Sequence, residues 1–150
     1  MAGAAARAGD AGIASLADAA VLGSVTIPGD AARVREARWF VAATLDDPGV
    51  AGTAALLTSE LVTNAIVHSS SGRPGGSVTI VVTEVAGGTR VEVTDAGSDR
   101  GRPVVRHESY AAGGHGLLLV QSLSEQWGYL RSGAAGTTVW FRLACPGEAP

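Results

Sequence analysis

Glu60, Asn64 and His68 recur at steps of four in a segment of helical character, which places a carboxylate, an amide and an imidazole on one slanting stripe. Leu57, Leu61 and Ala65 form the apolar stripe beside it. An amide oxygen facing a pocket is a hard ligand suited to Mg²⁺, and a carboxylate one turn earlier can take a proton from a hydroxyl. The stretch Thr63-Asn64-Ala65-Ile66-Val67 is poor in helix propensity, with Asn costing about half a kcal/mol against Ala, so something besides helix formation favours Asn64. A solvated polar edge on an amphipathic helix would show the same stripe. His68 suits a helix C-terminus, where the dipole favours it, better than it suits a ligand set.

Two further places carry chemistry. Period 2 in the strand candidate Thr89 to Asp95 sets Val91, Val93 and Asp95 on one face and Arg90, Glu92 and Thr94 on the other. Asp95 thus points the way the core valines point, and a carboxylate there needs a donor, because unpaired burial costs several kcal/mol. Gly97, two residues on, lets backbone or a ligand approach closely. An Asp at a strand end can equally cap a turn through its own backbone. The third place is the cluster Gly113-Gly114-His115-Gly116 before the apolar run Leu117 to Val120. Backbone amides exposed at a helix start bind phosphate. The dinucleotide fingerprint fails, because Leu119 stands where its third glycine would be, and a loop hinge or tight turn would use the same glycines.

The elements that must position these residues are legible in order. A strand from Val21 to Ile27 stops at Pro28-Gly29, and Asp30 is placed to cap a helix running to about Leu45, with Val34, Ala37, Val41 and Leu45 on its apolar stripe. Asp47-Pro48-Gly49 reads as its end, and a second helix spans roughly Thr53 to His68. Strands Ser77 to Val85 and Thr89 to Asp95 flank the hairpin signal Ala86-Gly87-Gly88. The aperiodic segment Ala96 to His115 is of a length that usually means a functional loop or lid. A short helix Leu117 to Leu123 and strands Glu125 to Leu130 and Thr137 to Leu143 complete an α+β fold: a two-layer sandwich, its sheet mostly antiparallel and its helices on one face. Residues 21 to 143 form the expected domain. The first twenty, with ten Ala and three Gly, read as a disordered tail, and residues 144 to 150 as a second tail.

Composition removes several chemistries. At 150 residues, 46% of them apolar, the chain supports one core. All eleven members of its Lys+Arg count are arginines. Without lysine there is no Walker A loop, no strand lysine of a eukaryotic-type protein kinase and no Schiff base. The single Cys145 excludes an internal disulfide framework and any Cys-rich zinc site, so a reducing, cytoplasmic setting is expected. A formal charge of −3 argues against non-specific binding to nucleic acid or to an anionic membrane, and no uninterrupted apolar stretch approaches a membrane span.

Taken together, Glu-Leu-Val-Thr-Asn-Ala-Ile-Val-His-Ser at 60 to 69, Asp-Ala-Gly-Ser at 95 to 98 and Gly-Gly-His-Gly-Leu-Leu-Leu-Val at 113 to 120 resemble the N, G1 and G2 boxes of the GHKL ATPases. The closest resemblance is to the small bacterial anti-sigma-factor serine/threonine kinases of the SpoIIAB/RsbW-like group. It covers about residues 21 to 143, with Gly136-Thr137-Thr138-Val139-Trp140-Phe141 completing the pattern. The resemblance implies the histidine-kinase/HSP90-like ATPase fold and ATP and Mg²⁺ as cofactors. It implies that Asp95, supported by Thr138, accepts a hydrogen bond from the adenine amino group, that Asn64 holds Mg²⁺, and that Glu60 is the general base. Gly97, Gly114, His115, Gly116 and Leu117 would complete the nucleotide contacts, with Arg100, Arg102 or Arg106 sharing phosphate charge. Asp99 stands where the family often has a second glycine after Gly97, so the start of the lid departs from the pattern. Implied partners are an anti-sigma-factor antagonist of STAS type, a sigma factor, or a second copy in a homodimer. A non-catalytic ATP-binding module that switches partner binding is the rival expectation.

Overall fold

The computed structural model of the chain describes residues 19–96, 116–131 and 136–146. Strand β1 (Ala20–Pro28) leads through a 3-10 turn (Ala31–Arg33) into α1 (Val34–Thr44) and then α2 (Pro48–His68). A second 3-10 turn (Ser70–Gly72) precedes β2 (Ser77–Val85) and β3 (Gly88–Asp95), and α3 (Gly116–Leu123), β4 (Gln126–Arg131) and β5 (Thr137–Ala144) follow. The five strands pair in the order β1-β2-β3-β5-β4, every neighbour antiparallel. The fold is an α+β two-layer sandwich. One sheet face meets the helices, and the core joins Ile27, Ile80, Val82, Val91, Val93 and Phe141 to Ala37, Val41, Leu57, Leu61 and Val62.

The local signals explain the elements. Asp30 accepts the Ala32 amide at 3.0 Å and opens the first 3-10 turn. Asp47-Pro48-Gly49, expected to close the first helix, instead opens the second. Asp47 Oδ1 accepts the Val50 amide at 2.9 Å, and Pro48 occupies the first helical turn, where its missing N–H costs nothing. α2 therefore begins five residues before Thr53. Gly88, expected in the hairpin turn, already pairs with Val85 and leaves a two-residue turn. Ala20 and Ala144 both lie in strands, one residue inside each expected tail, and residues 1–18 and 147–150 lie outside the described residues.

α2 carries the sandwich. Its 21 residues and mean hydropathy of 1.4 over a span-length window would suffice to cross a membrane by length and composition. Ala54, Leu57, Leu61, Val62 and Ala65 instead lie in the core, while Ser59, Glu60, Thr63 and Asn64 interrupt its apolar surface. The expected stripe of Leu57, Leu61 and Ala65 is the buried one, and on α1 the buried residues are Ala37 and Val41.

The opposite sheet face is polar but not fully wet. The Arg90 guanidinium stacks 4.2 Å from the Trp140 ring centroid while its Nε donates to Glu92 at 3.1 Å. Both residues are buried, although Trp140 stands outside the main core. Thr26 and Thr79 share a hydroxyl hydrogen bond at 2.8 Å on the same face. Period 2 in β3 thus holds, with Arg90 buried among aromatic and polar neighbours.

Truncating the fully buried Leu57 to Ala should lower unfolding free energy by about 2–5 kcal/mol. Gly52→Ala on the exposed side of α2, where an added Cβ meets nothing within 4 Å, should raise it by roughly 0.5–1 kcal/mol. Urea denaturation of both variants checks the pair.

Candidate functional site

The residues expected to do chemistry lie on α2, at the end of β3, at the start of α3 and at the start of β5. α2 packs against α3, β3 and β5, so one helix adjoins all three other sources. Asn64 is half-buried and its Oδ1 is fully buried with no hydrogen-bond partner among the described residues. Leaving such an acceptor unmade costs about 1–3 kcal/mol. Thr58 Oγ1 and Trp127 Nε1 share that condition. Asn64 differs from both in its place, one turn beyond the half-buried Glu60 on a single stripe.

An unsatisfied carbonyl oxygen is a hard electron-pair donor of the kind Mg²⁺ takes, so the chemistry of Asn64 is compatible with that ion. Among the described residues no group of three or more His, Cys, Asp or Glu side chains could hold a metal alone. A single protein oxygen is compatible with Mg²⁺, which retains waters and takes other ligands from substrate phosphates.

Asp95 ends β3, half-buried on the face of Val91 and Val93, as its period requires. Its strand partner is Thr137, and the neighbouring pair is Thr94 with Thr138. The hydroxyls of Thr94 and Thr138 meet at 2.8 Å on the face turned away from Asp95. The expectation that Thr138 supports Asp95 is therefore corrected. Side chains alternate along β5, and Thr137, which is buried, is the residue on Asp95's side.

Gly136 completes this corner. Its φ is +94°, and a Cβ there would stand 1.7 Å from the Asp95 carbonyl oxygen, so only glycine permits the approach. On the other side of Asp95, the Ala96 amide donates to Ser71 Oγ at 2.9 Å. Sequence reasoning left Thr137, Gly136 and Ser71 without roles. The alternation along β5 would have separated Thr137 from Thr138 had the register against β3 been known.

Gly116 and Leu117 open α3, where the first amides of a helix lack internal acceptors. The Leu117 side chain is buried in the core, leaving its backbone as the group it can offer a ligand. Gly97, Gly114, His115 and the arginines Arg100, Arg102 and Arg106 lie outside the described residues.

The "Histidine kinase-like ATPase domain" pattern matches residues 27–143. The chain belongs to that family. Its fold is also similar to a crystal structure of the RsbU and RsbW domains of Rv1364c from Mycobacterium tuberculosis, with a TM-score of 0.53 at 20% identity. That match covers 81% of this chain but 32% of the other, so the present chain spans about a third of that protein's crystallised length. No curated protein matches the chain. As a histidine kinase-like ATPase domain it is an ATP-binding, kinase-like unit, and the GHKL resemblance holds at that level.

Gly136→Ala should lower stability by at least about 1–2 kcal/mol from its left-handed backbone alone, with further loss from the contact at Asp95. Urea unfolding reads the first effect, and ATP titration calorimetry should show weakened binding in whatever fraction remains folded.

Proposed function

We propose that this chain is an ATP- and Mg²⁺-dependent serine/threonine protein kinase of the anti-sigma-factor type, acting on an antagonist protein of STAS type and able to sequester a sigma factor. The observation that carries the reading is the orphaned Asn64 oxygen one turn beyond Glu60 on the helix that adjoins β3, β5 and α3. A binding module needs a site for nucleotide. Phosphoryl transfer also needs a base beside the metal-holding residue.

In this reading Asp95 accepts a hydrogen bond from the adenine amino group and Thr137 takes the supporting place. Asn64 would hold Mg²⁺, which when bound would offset phosphate charge. The Glu60 carboxylate accepts the proton of a serine or threonine hydroxyl as that oxygen bonds to the γ-phosphorus and the bond to the bridging β–γ oxygen breaks. The amides at the start of α3 hold phosphate oxygens, which accounts for phosphoryl chemistry in a chain without lysine.

Exposed chemistry on α1 supports a protein acceptor. Trp39 is 73% exposed, whereas Phe40 packs against the core. Arg35 and Arg38 have no carboxylate partner among the described residues, and with Ala31, Ala32 and Val34 they line an open groove of about 540 Å³. Arg33 is different: its pairing with Glu36 raises its pKa and occupies its charge. An aromatic side chain beside two unpaired cations suits an acidic protein surface. The setting proposed is the cytoplasm.

Glu60→Gln should leave ATP affinity nearly unchanged while phosphotransfer to a cognate antagonist falls on the order of 10²- to 10⁴-fold. Unchanged phosphotransfer, followed with radiolabelled ATP, would remove Glu60 from the base role; partner binding that responds to nucleotide with no phosphotransfer in the parent protein would favour the non-catalytic switch. Asn64→Ala should abolish the gain in ATP affinity that Mg²⁺ confers and leave metal-free affinity within about threefold. Calorimetry with Mg²⁺ and with EDTA distinguishes this from general misfolding, which weakens both equally.

A further inference from the structure

We propose that Ser71 is the positioning residue that gives the site its selectivity for the adenine base, acting through Asp95; the inference rests on the adenine reading of Asp95 given above. Ser71 is fully buried, although it lies in a short turn between a helix and a strand. Its Oγ accepts the Ala96 amide at 2.9 Å, and its own amide donates to Ser69 Oγ at 3.0 Å. Ser69 in turn bonds back to the Ala65 carbonyl through both its hydroxyl and, at 3.1 Å, its amide. A continuous hydrogen-bonded path therefore runs from the last turns of α2, the helix of Glu60 and Asn64, to the residue after Asp95.

The place where this path ends is the informative part. Asp95↔Thr137 is the last rung of the β3 ladder, so the Ala96 amide has no strand partner and Ser71 supplies one. Without it the β3 end is held by a terminal rung alone, and strand ends fray. The backbone around Ser71 is fixed to match. A Cβ on Gly29 would lie 1.6 Å from the Ser71 carbonyl oxygen and one on Gly76 2.1 Å from it, while the Gly29 amide donates to Gly76 at 2.9 Å. Two segments thus pack closely against the Ser71 backbone carbonyl and fix the main chain from which its hydroxyl reaches Ala96.

A hydrogen bond to a charged acceptor discriminates strongly only when that acceptor is held in place. Adenine presents an amino donor, whereas hypoxanthine presents a carbonyl oxygen at the same position, which a carboxylate repels. The ratio of ATP to ITP affinity reads the base edge at C6 and N1, where the amino group becomes a carbonyl and N1 gains a proton, because sugar, phosphates and metal are shared.

The experiment measures ATP and ITP dissociation constants by calorimetry for the full chain and for Ser71→Ala. The parent protein should prefer ATP by at least about tenfold, the range for a charge-assisted hydrogen bond. In Ser71→Ala that preference should fall by at least about fivefold while ITP affinity stays within about threefold. Ser71→Cys, similar in size and with only a weak acceptor, should lie between the two and carries the comparison if the alanine variant does not fold. Equal weakening toward both nucleotides, or an unchanged ratio, in a folded variant overturns the assignment of Ser71 alone. A parent protein with no preference for ATP overturns the adenine reading of Asp95 and this inference with it.

Discussion

The pairing of β5 between β3 and β4 is the constraint on which the rest of the molecule depends. It brings a strand from beyond α3 into the interior of the sheet, beside the central β3, and fixes Asp95 opposite Thr137. A slip of one residue would exchange Thr137 for Thr138 and turn every core side chain of β5 toward the wrong face. Phe141, fully buried in the core, and Trp140, stacked under Arg90 on the other side, penalise that slip from both faces. The same register that packs the hydrophobic core thus decides which hydroxyl stands beside the Asp95 carboxylate.

α2 shows how stability and chemistry share one element. Its apolar stripe supplies much of the helical side of the core, and its adjacent stripe holds Glu60 and an Asn64 oxygen without a partner. A helix selected only for packing would replace Asn64 with Ala or Leu and gain both propensity and satisfaction. The fold instead tolerates a locally unfavourable, half-buried residue on the helix that packs against β3, β5 and α3. Such breaks between local preference and tertiary placement are expected at functional positions.

Much of this was legible in the sequence because it rests on short-range periodicity. The stripes of α1 and α2, the alternation of β2 and β3, and the boundaries of β2 follow from spacing alone. Asp47-Pro48-Gly49 misled because a turn signal and a helix-start signal use the same residues, and only the side-chain bond from Asp47 to the Val50 amide assigns them. Thr138 misled for a different reason. The side of a residue on β5 relative to Asp95 depends on a register between distant segments, which neither strand encodes by itself. Ser71 was invisible for a related cause, since its partner lies 25 positions away in a turn with no periodicity.

The central pairing also has a temporal meaning. Thr94 and Thr138, joined through their hydroxyls, are 44 positions apart, and the rung beside them is the one at Asp95. Pairing across such separations is slow compared with forming helices and hairpins, and β1 lies as far from β2 in sequence, so the β2–β3 hairpin and the two long helices can order before β1 and β5 dock. During synthesis the Asp95–Thr137 corner can form only after β5 has left the ribosome. Until then the chain presents a partial sheet whose β3 edge is open to pairing with another chain.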